Sequence, residues 1–322
     1  THMHLPITIA LLVIAGLLLL VGARLWRGRW FAKLLAMPLL LAGVTCFAAG
    51  AYHGWLTHRP QPESIDSREL FHGITYTRDV RRHPRPMVIH LVRIDLRAEG
   101  VSFRVTPGKA GTQQQMPART TGQFAREFGV QVAINGAFFT TFDQGPVEPG
   151  MPVFALGLNA SDGVVYSPGR EPYTSLNITA DNRAMISTTP GDVHNAVAGW
   201  GVLLRDGIVP DDLPETNNWD VPNPRTAVAI ADDGATLLLV VVDGRQPNYS
   251  EGVRLDELGT ILASYGGHDA LNLDGGGSST LVITDAYGLP YLLNSPIHDR
   301  LLPGTQRPVA NHLGVFAKPT AR

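Results

Sequence analysis

The sequence predicts an α+β domain, a twisted mixed β-sheet with a few flanking helices, preceded by two transmembrane helices. Three observations carry this reading. Two long apolar runs stand at the front of the 322-residue chain. Behind them, short apolar runs of strand length are punctuated by turn residues, and two segments of that part have helical spacing. Composition agrees, because 34 Gly, 24 Pro and 17% charged residues suit one large loop-rich domain joined to an apolar segment.

In chain order, Leu5 to Trp26 carries no charge before Arg24, and about 20 apolar residues in a helix cross a bilayer core. Leu34 to Leu56 is a second such run. Between them Arg24, Arg27, Arg29 and Lys33 stand beside Trp26, Trp30 and Phe31, the composition of a cytoplasmic membrane interface. Residues 1–56 therefore read as a hairpin, and Gly50 and Gly54 form a GxxxG pair that could seat its helices together. Everything beyond Leu56 then lies across the membrane; for a bacterium that is an inner-membrane anchor with a periplasmic or extracellular C-terminal domain. The competing reading is a cleaved signal peptide followed by a core helix. It fits less well, because the first run lacks a basic leader and the second lacks a small-residue cleavage pattern.

Residues 57–70 are polar and aperiodic and read as a linker, leaving 71–322 as the globular domain. The one cysteine, Cys46, lies in the second apolar run, so the domain has no disulfide and depends on its core. Basic residues dominate the anchor and acidic ones the domain, which argues against a nucleic-acid partner.

Within the domain, Met87 to Leu96 reads as a strand with Val88, His90, Val92 and Ile94 on one face; VSFRVT reads as its hairpin partner. His90 is read as packed rather than catalytic. Arg119 to Phe128 reads as a helix stopped by Gly129, followed by a strand ending at Asn135. Further strands are expected at Val153 to Leu158, Leu176 to Thr179, Ala184 to Ser187, Gly201 to Leu204 and Thr226 to Ala231. Leu237 to Val242 is uniformly apolar, as in a strand covered on both faces, and delivers Asp243 to the sheet edge. Val253 to Tyr265 is helical in spacing and closed by Gly266 and Gly267, after which ALNL hands over to Asp274.

The stretch LDGGGSST holds the chemistry. Three consecutive glycines reach φ values closed to other residues and can aim amides at an anion, with Ser278 and Ser279 adding hydroxyls. No P-loop lysine follows. The bland alternative is a hairpin loop joining ALNL to TLVI. Other apolar runs end in polar groups too, presenting Asn135, Arg225, Asp243 and Arg245. Arginine suits phosphate because its planar fork makes two charge-assisted hydrogen bonds at once. No Ser-His-Asp arrangement or zinc signature stands out, and His268 reads as a loop residue.

NGAFF, PRTA, VVVDGR followed by a helix, ALNLDGGGSST and the closing ANHLGVFA occur in that order, and the set resembles the phosphodiester glycosidase family. The likeness spans roughly Phe71 to Lys318. It implies hydrolysis of the bond between an anomeric sugar carbon and a phosphodiester, N-acetylglucosamine being the sugar in the mammalian case. The resemblance carries Asn135, Arg225, Asp243, Arg245, Asp274 and the Gly275, Gly276, Gly277, Ser278, Ser279 turn onto functional positions, with Asn311 a looser match. Unlike the mammalian enzyme, this chain has no cysteine-rich additions and carries two apolar spans in front.

The expected mechanism has the arginines and glycine amides holding phosphate while Asp274 or Asp243 acts at the anomeric carbon as nucleophile or base. A divalent cation such as Ca²⁺ or Mg²⁺ could be shared by the two aspartates, although nothing in their spacing demands one. The expected partners are a glycosyl phosphodiester or envelope glycan and the membrane. Two alternatives stay open: a membrane-tethered glycan- or phosphate-binding module without catalysis, and a phosphodiesterase cutting the other ester bond.

Overall fold

The computed structural model describes residues 4–111, 115–141, 145–189, 191–213, 219–231, 233–298 and 302–320. They divide into two compact units, Thr1–Gln61 with Gln246–Tyr249, and Pro62–Arg245 with Ser250–Arg322.

The first unit is built on two helices, α1 (His4–Trp26) and α2 (Trp30–His58), both long and apolar enough to cross a membrane. α2 extends past the Leu34 to Leu56 run at both ends and contains Pro38, which an apolar helix tolerates when its neighbours compensate. The residues buried between the helices are small and recur with a heptad spacing: Thr8, Ala15 and Gly22 on α1, Ala36, Gly43, Gly50 and Thr57 on α2. A repeat of seven keeps one stripe facing the partner, and small residues let the backbones approach. The Gly50 and Gly54 pair is thus part of a longer seam. A Cβ on Gly43 would stand 2.8 Å from Leu19 Cγ, and one on Gly22 the same distance from Leu40 Cγ. Gly43→Leu should therefore overpack the seam by about 1–3 kcal/mol; a lower melting midpoint in detergent is the expected readout, and an unchanged one would mean the seam is loose. Leu17, Leu20, Leu34 and Leu41 remain exposed on the outside, a surface suited to lipid.

In the second unit the α+β class holds. Its strands form four sheets, and every ladder between them is antiparallel among the described residues. The central sheet has seven strands in the order Ile65–Phe71, Ile74–Arg81, Met87–Asp95, Thr236–Val242, Arg225–Ala231, Gly267–Asn272, Val202–Leu204. A facing sheet of five runs Pro290–Leu292, Leu281–Thr284, Val132–Asn135, His312–Phe316, Ser102–Val105. A third sheet contributes Leu176, Ile178 and Val197 to the same core.

Alternation along the strands assigns each face. Leu237, Leu239 and Val241 enter the core shared with the facing sheet; Leu238, Val240 and Val242 enter a second cluster under α4 (Leu255–Ser264). The strand is covered on both sides, as its apolar run predicts, and each such side chain contributes about 1.5–3 kcal/mol on burial. Ile134, Leu281 and Ile283 point into the shared core, while Ala133 and Val282 pack with Phe124 of α3 (Thr121–Phe128). α3 starts at a Thr120/Gln123 capping box and stops at left-handed Gly129.

Four expectations change here. VSFRVT is not the partner of Met87–Asp95, whose two edges are taken by Ile74–Arg81 and Thr236–Val242; it pairs instead with His312–Phe316. Within the expected linker, Ile65–Phe71 is an edge strand whose largely polar, exposed sequence hides the alternation that marks half-buried strands. ALNL and TLVI lie in different sheets, so LDGGGSST is no hairpin loop. His268 sits in the Gly267–Asn272 strand rather than a loop.

Candidate functional site

The turn after Gly267–Asn272 is where the sheets meet. Leu273 N–H donates to Thr226 O at 2.9 Å and Gly276 N–H to Pro224 O at 2.8 Å, fixing the turn to the start of Arg225–Ala231. Asp274 N–H donates to Gly136 O at 3.1 Å. Asn135 Nδ2 donates to Asp274 O at 2.5 Å, and its Oδ1 accepts from Thr226 Oγ1 at 2.8 Å and Thr280 N–H at 3.1 Å. With 0% exposure, Asn135 is a strut that ties both sheets to the aspartate's backbone. Asn311 works similarly: fully buried, it accepts from Ala137 N–H at 2.7 Å and donates to Asn159 Oδ1 and Tyr166 Oη at 2.7 and 3.2 Å. Polar groups at strand ends can turn back onto nearby backbone as readily as forward to a ligand.

Most of the amides expected to form an open nest are spent within the protein. Gly276 N–H is given to Pro224, and the Ser278 and Ser279 amides close a 3₁₀ turn on Gly275 O and Gly276 O at 3.2 and 3.3 Å. Close approach explains the glycines better. A Cβ on Gly275 would stand 3.0 Å from Pro224 O, one on Gly277 3.0 Å from His298 O, and one on Gly276 2.9 Å from Arg245 Nη2. Gly276 also has φ +62°, which disfavours any side chain.

Those approaches gather three guanidinium groups. Arg225 packs its Cδ over Gly275, donating through Nε to Val253 O at 3.0 Å and through Nη2 to Val221 O at 3.0 Å. Arg245, itself at φ 59°, lies over Gly276 and is held by Asn223 Oδ1 at 3.1 Å. Arg307 donates from Nη1 to Ser278 Oγ at 3.5 Å and lies 5.1 Å from the centre of the Phe139 ring; its Nε is buried with no partner. Burial, and then the neighbouring Arg245 charge, push the pKa of Arg225 down to about 10. Like charges this close are unfavourable until an anion joins them.

Against this cationic wall stands Asp274. Burial pushes its carboxyl up to about 6, offset in part by the Ser278 hydroxyl, the Arg307 charge and the Gly275 amide. A carboxyl poised there can exchange a proton or attack as a carboxylate near neutrality. Asp243 differs. Its Oδ1 accepts from Asn294 Nδ2 and Ser295 N–H at 3.0 and 2.8 Å, and His90 Nε2 lies 3.1 Å from its Oδ2. His90 in turn bonds Tyr76 at 2.8 Å and is buried, as its packed reading predicts. With its side chain fully buried, Asp243 anchors the chain ahead of His298 through the Asn294 and Ser295 bonds.

Of the residues expected from sequence, Arg225, Arg245, Asp274 and Gly275 to Ser278 come together. Asn135, Asn311 and Asp243 hold that group in place, and Ser279 is buried with an unpartnered Oγ. Sequence reasoning missed Arg307 and Asn223. The available signals were an arginine just ahead of ANHLGVFA and an asparagine one residue before PRTA.

Gly276→Ala gives a direct check on the packing. The new Cβ should displace Arg245 and lower kcat/KM about ten- to hundred-fold, as small misplacements do, while the melting midpoint falls only slightly; equal damage to folding and activity would make the glycine purely structural.

Residues 128–316 match the phosphodiester glycosidase family. Among solved structures, the chain is similar to the catalytic domain of zebrafish N-acetylglucosamine-1-phosphodiester alpha-N-acetylglucosaminidase, auto-inhibited by its pro-peptide. The TM-score is 0.55 at 23% identity, covering 81% of this chain and 86% of that one. A hypothetical protein from Synechocystis gives a TM-score of 0.54 at 17% identity, covering 80% and 64%. No curated protein matches the chain.

Proposed function

Since this chain belongs to the phosphodiester glycosidase family, we propose that it hydrolyses the bond between the anomeric carbon of a sugar and the oxygen of a phosphodiester. The observation that carries this reading is the meeting of Arg225, Arg245 and Arg307 around a turn whose Asp274 has a carboxyl raised to about 6. A phosphodiester leaves readily once its charge is met, so little protonation of the leaving oxygen is needed. The guanidinium groups absorb the growing charge. Asp274 acts at the anomeric carbon, directly or by taking a proton from the attacking water. The C1–O bond breaks, the sugar gains a hydroxyl, and the phosphate leaves as a monoester. Asp243 is a positioning residue in this scheme, because its side chain is fully buried among Asn294, Ser295 and His90.

The basic turn between α1 and α2 supports a cytoplasmic loop, with the hydrolase unit on the outer side of the membrane. The substrate is then a glycosyl phosphodiester of the envelope, N-acetylglucosamine-1-phosphodiester-like in its chemistry.

Hydrolysis in ¹⁸O-water tests the reaction. Label is expected in the free sugar and absent from the phosphate. Label in the phosphate would mean the other ester bond is cut, and binding without turnover would make the protein a glycan- or phosphate-binding module.

A further inference from the structure

Three half-buried aromatic rings gather beside the segment that leads to Asp274. Trp200 lies with its ring centre 6.2 Å from that of Phe138, at 76°, and 6.4 Å from that of Tyr173, at 52°. All three keep part of their surface open, although the strands leading to Phe138 and Trp200 and the one leaving Tyr173 are buried. Backbone bonds tie Trp200 and the chain before Phe138 to the Asp274 segment, and Tyr173 joins them through its ring contact with Trp200. Trp200 N–H donates to Asn272 O at 3.0 Å, and Asn272 Nδ2 donates back to Trp200 O at 2.9 Å, two residues before Asp274 in the same segment. Phe138 follows two residues after Gly136, the acceptor of the Asp274 amide. Asn272, only 4% exposed, makes this clamp while its Oδ1 has no partner, a penalty that packing alone does not require.

A pyranose ring has an apolar face of C–H groups rimmed by hydroxyls, and an aromatic wall with polar groups at its margin matches that shape. The arginines beside Asp274 match the phosphate. We propose that Trp200, flanked by Phe138 and Tyr173, is the platform on which the sugar ring of the substrate stacks, with its anomeric carbon directed to Asp274. This assignment rests on the glycosyl phosphodiester reading above and adds the side chains that select the sugar.

The test uses the full chain in detergent with a hexopyranosyl methyl phosphodiester. Trp200→Ala should raise KM about ten- to hundred-fold, the size that loss of one stacked ring produces, while inhibition by inorganic phosphate, which needs only the arginines, stays within about twofold. Trp200→Phe should recover most of the loss, and it also covers the case in which the alanine variant fails to fold. An unchanged KM in Trp200→Ala, or equal weakening of phosphate inhibition, would overturn the platform. If the wild type shows no turnover, the hydrolase reading fails by itself. The platform is then judged by tryptophan fluorescence: quenching by the phosphodiester in wild type but not in Trp200→Phe supports it, and no quenching in wild type sinks it.

Discussion

Asp274→Asn is expected to lower turnover of a glycosyl phosphodiester by about 10²- to 10⁴-fold, the range for losing a positioned catalytic carboxyl, and at the same time to stabilise the fold at neutral pH. The two effects share one cause. Burial raises the folded-state pKa of this carboxyl to about 6, against about 3.9 for an aspartate in the unfolded chain. Its contribution to stability is therefore most favourable below pH 4 and is lost as pH rises through 6, beyond which the native state carries a half-buried carboxylate in a site that favours the neutral form. Asparagine removes that charge. Thermal melts at pH 7 should show the variant at or above wild type, with the advantage gone near pH 4. Wild-type kcat/KM should rise with pH through about 6, because the ionised form of Asp274 reacts. Full activity in the asparagine variant would remove Asp274 from the chemistry.

The second large effect is expected at Arg307. Its Nε is buried without a partner, its Nη1 reaches Ser278, and its charge lowers the pKa of Asp274. Arg307→Ala should cost about 10²- to 10³-fold in kcat/KM if the group meets transition-state charge. Arg307→Lys should recover only part of that, since a point charge replaces a planar fork. A second readout separates this from a packing defect. Removing the Arg307 charge must raise the Asp274 pKa further, so the acid limb of the rate profile should move to higher pH. A limb that stays in place in Arg307→Ala would mean the two side chains do not communicate.

Several features were legible because they depend on local pattern. Leu237 to Val242 announces a strand covered on both faces, the Gly129 and Gly266 signals end α3 and α4 as expected, and the two apolar runs give α1 and α2. The ordered set of motifs ending in ANHLGVFA identified the family. The partnership of Arg225, Arg245 and Asp274 could be anticipated because each follows or begins an apolar run, and the ends of adjacent strands lie together in a sheet. Pairing was harder: VSFRVT could satisfy its alternation against any edge, and only the occupied edges of Met87–Asp95 exclude the nearest one.

By itself, then, the sequence determined which residue types were on offer and which backbone positions could bend, because periodicity and glycine content act over a few residues. What each polar side chain does was decided by tertiary structure. Asn135, Asn311 and Asp243 look as available in the sequence as Arg245, yet burial commits their amides and carboxylate to neighbouring backbone and side chains. The glycine turn accepts arginines across it instead of opening all its amides, because Pro224, Arg245 and His298 arrive from distant parts of the chain within 3.0 Å of where a Cβ would stand. Arg307 and Trp200 join the site through the same long-range packing, which no local spacing encodes.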